Sequence, residues 1–440
     1  MVMADLQDLR VSRLGDPRFD SPLAGFIGGR RTNEHYVSED DRVLYHDTVS
    51  ELAGLDGTAP AWPSFEPGGP RRRLFFEPGA TTVGVVTCGG LCPGLNDVIR
   101  GIVMELALHY GIPTVTGFRN GYLGLTASGP EPATLTPESV DHINQHGGTV
   151  LGSSRGSQDP VLMVDRLVEL GIDILLVIGG DGSMRGASGL VEEIARRGLE
   201  IGVIGVPKTI DNDIPFIGQS FGFVTAFSQA AKAISVAMVE AKSSIGGVGL
   251  VKLMGRHSGF IACYAALANQ DADFVLIPEV PFQLDGPSGL LASLHQRVKE
   301  RGSAVVVVAE GAGQGLLEGS TETDESGNMR FADVGLHLRE AIGRHFVAMG
   351  SPLTLKYIEP SYSIRSVRAE PHDAVCCLRL AQAAVHAGMA GRTDMVVGRR
   401  HNRAIHVPIS LVTSERNQVA PDGDLWMSVL EQTKQPVHMC

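Results

Sequence analysis

Three segments of this chain carry residue types that suit phosphate and cation chemistry. The first, Thr87-Cys-Gly-Gly-Leu-Cys-Pro-Gly-Leu-Asn96, follows the β-branched run Val83–Thr87 and leads into apolar residues at helical spacing, Leu95, Ile99, Ile102 and Leu106. Glycines such as Gly89 and Gly90 let backbone approach a phosphate closely, and a helix N-terminus favours anions; the same run also reads as a tight turn with no ligand. It is neither a Walker A loop nor a dinucleotide fingerprint, because no GK[ST] and no GxGxxG is present there. The second, Gly179-Gly-Asp-Gly-Ser183, presents Asp181 on a glycine turn after an apolar run. Its carboxylate suits a hard cation such as Mg²⁺, directly or through water, or else an N-cap. The third, Pro207-Lys-Thr-Ile-Asp-Asn-Asp213, sets Asp211 and Asp213 behind Lys208 and Thr209. In an extended segment Thr209, Asp211 and Asp213 project to one side, and paired carboxylates suit general-base work; a turn or capping role for one of them is the other reading. Arg155 in Gly152-Ser-Ser-Arg155 and Arg256 in Met254-Gly-Arg-His-Ser-Gly259 are surface cations or anion ligands.

The elements that must position these segments alternate strand with helix. Strands are expected at 83–87, 173–178, 201–206, 249–253, 274–277, 304–309, 353–357 and 395–397. Helices are expected from Leu95 to Gly111, from Asp159 as N-cap with Pro160 at N1 to Leu170, near 187–197, over 227–239, near 289–300 and over 373–389. Such βαβ alternation implies parallel sheets covered on both faces, with ligands beyond the carboxyl ends of the strands. The fold class is α/β: two doubly wound, Rossmann-like parallel-sheet lobes with an N-terminal extension. Residues 1–78 are polar and rich in Pro and Gly and read as an arm or cap, and 318–328 read as an exposed loop.

With 440 residues, 43% hydrophobic and 20% charged, the chain has the balance of a soluble globular protein of about two domains. A net charge of -12 and no long basic run argue against a nucleic-acid face. The six cysteines form no CxxC pair, so a disulfide framework or zinc site is not expected and a reducing compartment fits. Cys88 and Cys92 flank the glycine pair and read chiefly as packing residues, with redox sensitivity as the minor alternative. No secretory signal and no apolar run approaching the roughly 18–20 residues of a membrane span is visible, and the expected location is the cytoplasm.

Taken together, Gly89-Gly90…Pro93-Gly94, Gly121-Tyr-Leu-Gly124, Gly179-Gly-Asp-Gly182, Pro207–Asp213, Met254-Gly-Arg256 and Glu310-Gly311 resemble the phosphofructokinase family, from about Arg73 to about Pro408. The arm, Leu74–Gly79 and GGLCPGLNDVIR are similar to the larger subgroup of plants and trypanosomatids, more than to the short bacterial type. The resemblance implies an ATP-dependent 6-phosphofructokinase of glycolysis. Mg²⁺ would be its cofactor, ATP and fructose 6-phosphate its substrates, and a homotetramer or homodimer its assembly, with no nucleic acid or membrane partner. It implies a nucleotide lobe of 79–222 plus about 358–420, and a sugar-phosphate lobe of 223–357 plus about 421–440. Asp211 matches the base; Thr209, Asp213, Arg155 and Lys208 match neighbours of the transferring phosphoryl group. Gly89, Gly90, Tyr122, Arg155, Gly180, Asp181, Gly182, Ser183, Arg185 and Gly186 match the nucleotide site, with Asp181 on the metal. Thr209, Asp211, Met254, Gly255, Arg256, Glu310, Tyr357, Tyr362 and Arg365 match the sugar-phosphate site.

The family's donor positions give mixed signals. Gly182 leaves room for ATP, where an aspartate favours pyrophosphate; Lys208 stands where pyrophosphate enzymes carry lysine. The plant and trypanosomatid subgroup shows the same mixture. A pyrophosphate-dependent enzyme is the second reading, and a non-catalytic regulatory subunit the third. The chain departs from the short bacterial pattern at Gly247, where an arginine reaching a neighbouring subunit's 6-phosphate is expected; Lys252 is a candidate substitute. The bacterial effector pattern keeps Arg100 but has Met104 in place of a second arginine.

Overall fold

The computed structural model describes residues 9–23, 36–53, 62–317 and 331–439. The expected exposed loop at 318–328 lies outside the described residues, as do residues 1–8, 24–35 and 54–61 of the expected arm. The chain divides into two compact units. Unit 1 takes the chain up to Thr209, then Ile214–Phe221 and Arg368–Glu415; unit 2 takes Ile210–Asp213, Gly222–Val367 and the chain from Arg416. The return to unit 1 thus begins at Arg368 and the last crossing falls after Glu415, against expected boundaries near 358 and 420.

The strands of the two main sheets, in chain order, are β1 (Val43–Leu44), β2 (Ser64–Pro67), β3 (Val83–Thr87), β4 (Val115–Phe118), β5 (Ala133–Leu135), β6 (Ile174–Gly179) and β7 (Gly202–Pro207). They continue as β8 (Gly247–Leu253), β9 (Phe274–Leu276), β10 (Ser303–Ala309), β11 (Thr354–Ile358), β12 (Met395–Arg400) and β13 (Arg403–Pro408). The helices used below are α1 (Leu95–Tyr110), α2 (Pro160–Glu169), α3 (Asp181–Arg196), α4 (Phe223–Lys242), α5 (Phe260–Asn269), α6 (Leu290–Arg301), α7 (Val334–Ala348), α8 (Ser361–Arg365), α9 (Pro371–Met389) and α10 (Asp424–Thr433).

Unit 1 holds a nine-stranded sheet in the order β1-β2-β13-β12-β7-β6-β3-β4-β5. Its centre, β12-β7-β6-β3-β4, is parallel, while β13, β2, β1 and β5 are added antiparallel. The central strands are apolar throughout because both faces are covered; every residue of β3, β6 and β7 is buried. Register aligns Thr87 with Ile178 and Gly179 with Pro207, so the turns after β3, β6 and β7 leave one edge of the sheet. As expected, Asp159 caps α2 by accepting the Val161 N–H at 2.9 Å, and Gly111 ends α1 with φ 69°.

The described part of the first 78 residues belongs to unit 1, and β1 and β2 extend its sheet. A buried ion cluster fastens it. Glu66 accepts hydrogen bonds from Arg71 Nη2 at 3.0 Å, Arg392 Nε at 2.8 Å and Arg13 Nη2 at 3.1 Å. His406 Nδ1 lies 3.3 Å from the same carboxylate. Burial opposes the charge of Glu66, but His406, Arg392 and Arg71 outweigh it and hold the carboxyl well below the usual range.

Unit 2 is a four-stranded sheet, β9-β10-β8-β11, with every adjacent pair parallel. Leu253 pairs with Ala309, so the loops that follow β8 and β10 leave side by side. Its core packs Val248, Leu250, Val306 and Val308 against Leu294, Leu338 and Phe346 of the helices. At the rim, the middle residue of β9 is closed off by one side chain: Val275 donates its N–H to Gln435 Oε1 at 2.7 Å and accepts from Gln435 Nε2 at 3.2 Å.

The structure differs from the expected elements in ways that matter here. The helix expected near 187–197 begins at Asp181, so the GGDG segment is itself the first helical turn. The segment after β7 is not extended: Asn212 adopts φ 56°, which removes the two-residue alternation expected of Thr209, Asp211 and Asp213. The helix expected over 227–239 runs from Phe223 to Lys242.

Candidate active site

In unit 1 the three turns at the sheet edge place their polar groups around glycines. Gly89 has φ 81°, a conformation that favours glycine, and a Cβ there would lie 3.2 Å from Lys208 Nζ and 3.9 Å from Ser183 Oγ. A Cβ on Gly90 would lie 4.0 Å from Arg155 Nη2. A buried ammonium and an exposed guanidinium therefore flank the backbone of the first turn. The turn is held from outside: Gly89 N–H donates to the Ser154 carbonyl at 3.3 Å, and Thr87 Oγ1 donates to the Gly152 carbonyl at 2.7 Å.

α3 opens beside this turn. Gly180 is its N-cap and supplies no capping side chain, which leaves the helix end suited to an anion. Gly182 is exposed, its φ lies outside the left-handed region, and a Cβ on it would meet nothing within 4 Å. No packing or backbone demand therefore requires glycine at 182. Gly186 is different, because a Cβ there would run into the ring of Tyr122. Tyr122 is buried beneath the turn and donates its hydroxyl to the Ser183 carbonyl. Asp181 pairs with Arg185 one turn along the helix. Among the described residues no group of three or more His, Cys, Asp or Glu could cage a metal ion. A single carboxylate at the sheet edge fits Mg²⁺, which keeps several waters and relies on one or two carboxylates plus substrate phosphates.

Cys88 and Cys92 are both buried, at 4% and 1% exposure. Burial pushes the Cys88 thiol up to about 12 despite nearby Lys208. A thiol so reluctant to ionise is a poor redox sensor, which favours the plain packing role of this residue.

In unit 2, Met254–Arg256 and Glu310-Gly311 interlock after β8 and β10. Glu310 N–H donates to the Leu253 carbonyl at 2.9 Å and Gly311 N–H to the Gly255 carbonyl at 3.1 Å. Gly255 has φ 125°, and a Cβ on it would lie 2.6 Å from the Ser258 carbonyl oxygen. Asp211 joins this group: its own carbonyl accepts from Ser258 Oγ at 3.1 Å, and its carboxylate accepts from the Arg256 N–H. Burial, with Asp213 and Glu310 close by, pushes the Asp211 carboxyl up to about 8; the Arg256 N–H and Arg416 work the other way. Burial also raises Glu310, partly offset by Arg256 and Lys252.

Arg256 lies over the Phe331 ring at 4.8 Å, and Arg365, at the end of α8, over Tyr362 at 4.7 Å. Tyr357 of β11 sits 3.5 Å from Asp333 Oδ1 and 3.3 Å from Glu359 Oε2 through its hydroxyl. Lys252, a candidate phosphate ligand by sequence, is committed elsewhere. It is buried and binds Asp333 at 2.8 Å and Glu359 at 3.0 Å. Burial opposes its charge, but these two carboxylates outweigh it and hold its pKa above the ordinary lysine value. Gly247 cannot be replaced by any phosphate-binding side chain, because a Cβ there would collide with the Ala241 carbonyl. Arg416, which faces Asp213 at 3.8 Å, was not found by sequence reasoning; it lies over 200 positions downstream in a stretch with no motif.

Two α/β units, each with glycines and charged side chains at the carboxyl ends of parallel strands, define a protein of the open parallel-sheet class, in which ligands bind beyond those strand ends. Comparison with known proteins makes this specific. The phosphofructokinase family matches residues 82–388, and the chain belongs to that family. A protein of Amycolatopsis methanolica named ATP-dependent 6-phosphofructokinase is 57% identical, covering 98% of this chain and 95% of its own. ATP-dependent 6-phosphofructokinase 1 of Arabidopsis thaliana (44%, covering 96% and 89%) and the ATP-dependent 6-phosphofructokinase of Trypanosoma brucei brucei (42%, covering 97% and 87%) are plant and trypanosome relatives of the kind the resemblance implies. The fold is also that of a pyrophosphate-dependent phosphofructokinase from Marinobacter aquaeolei, at TM-score 0.66 and 21% identity, covering 81% of this chain and 92% of that one.

Proposed function

We infer that this protein is an ATP-dependent 6-phosphofructokinase, a phosphotransferase of glycolysis that converts fructose 6-phosphate to fructose 1,6-bisphosphate. The observation that carries this is the family membership together with near full-length relatives, 42–57% identical, that bear that activity in their names. The open space in front of Gly182 supports ATP as donor.

In this reading the residues of unit 1 serve the nucleotide. The backbone of Gly89, Gly90 and the first turn of α3 lies against phosphates, with Tyr122 supporting that turn from beneath. Lys208 and Arg155 neutralise charge that develops on the transferring group. Asp181 would hold Mg²⁺, which when bound supplies charge neutralisation on the phosphate oxygens. The residues of unit 2 serve the sugar phosphate: Met254, Gly255, Arg256 and Glu310 contact the sugar, and Arg365 with Tyr357 and Tyr362 serves its phosphate end. Asp211 takes the proton of the 1-hydroxyl. The oxygen's electron pair then forms the new bond to the γ-phosphorus, the bond from that phosphorus to the bridging oxygen breaks, and ADP leaves with its electrons. A carboxylate whose proton affinity is raised toward neutrality is a stronger base than an ordinary aspartate. Thr209 and Asp213 neighbour the transfer.

No helix among the described residues is long and apolar enough to cross a membrane. A cytoplasmic homotetramer or homodimer completes the reading.

The test is product formation from fructose 6-phosphate and Mg²⁺ with ATP and pyrophosphate in parallel. Turnover with ATP alone is expected. Turnover with pyrophosphate alone would give donor choice to Lys208 over Gly182, and turnover with neither would leave a regulatory subunit.

A further inference from the structure

Where the chain re-enters unit 2 it runs Arg416-Asn-Gln-Val419; the first three residues are tied directly to loops bearing proposed site residues, and the fourth reaches one through Glu279. Arg416 Nη1 faces Asp213 Oδ2 at 3.8 Å. Asn417 donates its backbone N–H to the Asp213 carbonyl at 2.8 Å and its side-chain Nδ2 to the Asn212 carbonyl at 3.2 Å. Gln418 Nε2 donates to the His257 carbonyl at 2.9 Å. Val419 N–H donates to Glu279 Oε1 at 2.8 Å, and the same oxygen accepts the Gly259 N–H at 2.9 Å. Ser258 Oγ closes the ring on the Asp211 carbonyl. The segment thus straps together the loops that carry Asp211, Asp213 and Arg256.

The point of greatest conformational demand in this ring is Asn212, at φ 56°. Left-handed backbone costs a non-glycine residue free energy and persists where its surroundings hold it. The carbonyls of Asn212 and Asp213 are the groups Asn417 binds, one with its side chain and one with its backbone. The left-handed turn brings the carboxyl groups of Asp211 and Asp213 close together, and once Asp211 ionises their like charges drive them apart unless something resists it.

We propose that Asn417 is a positioning residue for the base: by gripping the carbonyls of Asn212 and Asp213 it holds the left-handed turn that sets Asp211 against Asp213. This rests on the reading of Asp211 as base. Glu279, half-buried between the strap and the start of α5, anchors the far side of the same ring.

The experiment compares Asn417→Leu, which matches size without the donor, Asn417→Ser, which keeps polarity but is too short to reach, and Asn417→Gln, which restores an amide. Asp211→Asn is measured beside them. The expected result is a kcat about tenfold lower in the leucine and serine variants, with KM for ATP within about twofold and partial recovery in the glutamine variant. The acid limb of the kcat–pH profile is expected to move down by about half a unit, because a loosened Asp211 gains water and distance from Asp213. Glu310, Arg256 and Arg416 face it as well, and none of them is substituted in the Asn417 variants. Unchanged kcat in both variants, or a loss with an unmoved acid limb, overturns the proposal even if one variant folds poorly. Activity retained by Asp211→Asn would instead sink the base assignment, whatever the Asn417 variants do.

Discussion

The ammonium of Lys208 stands 3.2 Å from the point where a side chain on Gly89 would begin. Lysine is buried here, and the hydrophobic stem of its side chain fills the space that a methionine would also fill. Lys208→Met is therefore expected to keep the melting temperature while lowering kcat roughly 10²–10³-fold, the usual loss when one preorganised donor to a developing negative charge is removed. Steady-state kinetics beside a thermal melt checks both halves. A loss confined to KM would place Lys208 in uniform binding instead.

Gly182→Asp separates ligand effects from folding effects with unusual cleanness. The site is open and its backbone is ordinary, so the variant is expected to melt within about 2 °C of wild type, as surface substitutions do. Its kcat/KM with ATP is expected to fall at least about 100-fold from repulsion between the new carboxylate and nucleotide phosphates. Pyrophosphate turnover, if any is present, survives or rises. Unchanged ATP turnover would remove Gly182 from the donor argument.

Asp211→Asn is expected to lower kcat roughly 10²–10⁴-fold. A second signature lies in stability. The folded chain holds the Asp211 proton up to about pH 8, whereas an unfolded aspartate releases it near the ordinary value of 3.8. Between those pH values the native state binds the extra proton, so this group makes the protein less stable as pH rises through the window. The melting temperature of Asp211→Asn should therefore gain on wild type from pH 5 toward pH 8, and an advantage that shrinks instead would contradict the enclosure of this carboxyl.

Glu66→Gln tests the ion cluster that fastens the N-terminal strands. Removing one charge leaves Arg71 and Arg392 buried beside it, and breaking a buried pair costs about 3–5 kcal/mol, toward the lower end here because Glu39 also meets both arginines. Urea titration at pH 7 measures the loss. Glu66 has a depressed pKa, so its contribution is present above the ordinary carboxylate range and fades as pH falls; His406, kept neutral chiefly by burial, pushes the same way. The gap between wild type and variant is expected to narrow in acid, with kinetic constants little changed at pH 7.

Much of this architecture is visible in the sequence because local and global signals agree. Asp159-Pro160 and Gly111 mark helix ends, and the short, mostly apolar runs at 83–87 and 173–178, each followed by a glycine turn, fit strands covered on both faces. The helix beginning at Asp181 was harder, because Gly182, Ser183 and Gly186 are poor helix formers; burial of Met184 and Ala187 and the support of Tyr122 override that preference. α5 was missed because its small apolar residues show little periodicity. β13 is hard to see in the sequence because the polar Arg403 and His406 interrupt its apolar residues; the antiparallel partner β12 supplies what the sequence does not show. At the site, glycines and carboxylates announced themselves by spacing. Asn417 and Arg416 did not, because a residue that acts by gripping a distant carbonyl leaves no pattern around itself.

The pairing of Gln435 with Val275 has a consequence for how this protein behaves when crowded. β9 is only three residues long, so one amide that imitates a neighbouring peptide group occupies its central rung. A foreign strand approaching that side finds the rung already taken, which is the kind of protection that keeps sheets from joining edge to edge. At the opposite border, β11 has a strand partner on one side only among the described residues. Growth of the unit 2 sheet past β9, in a crystal, a filament or an aggregate, would first have to strip Gln435 from that rung.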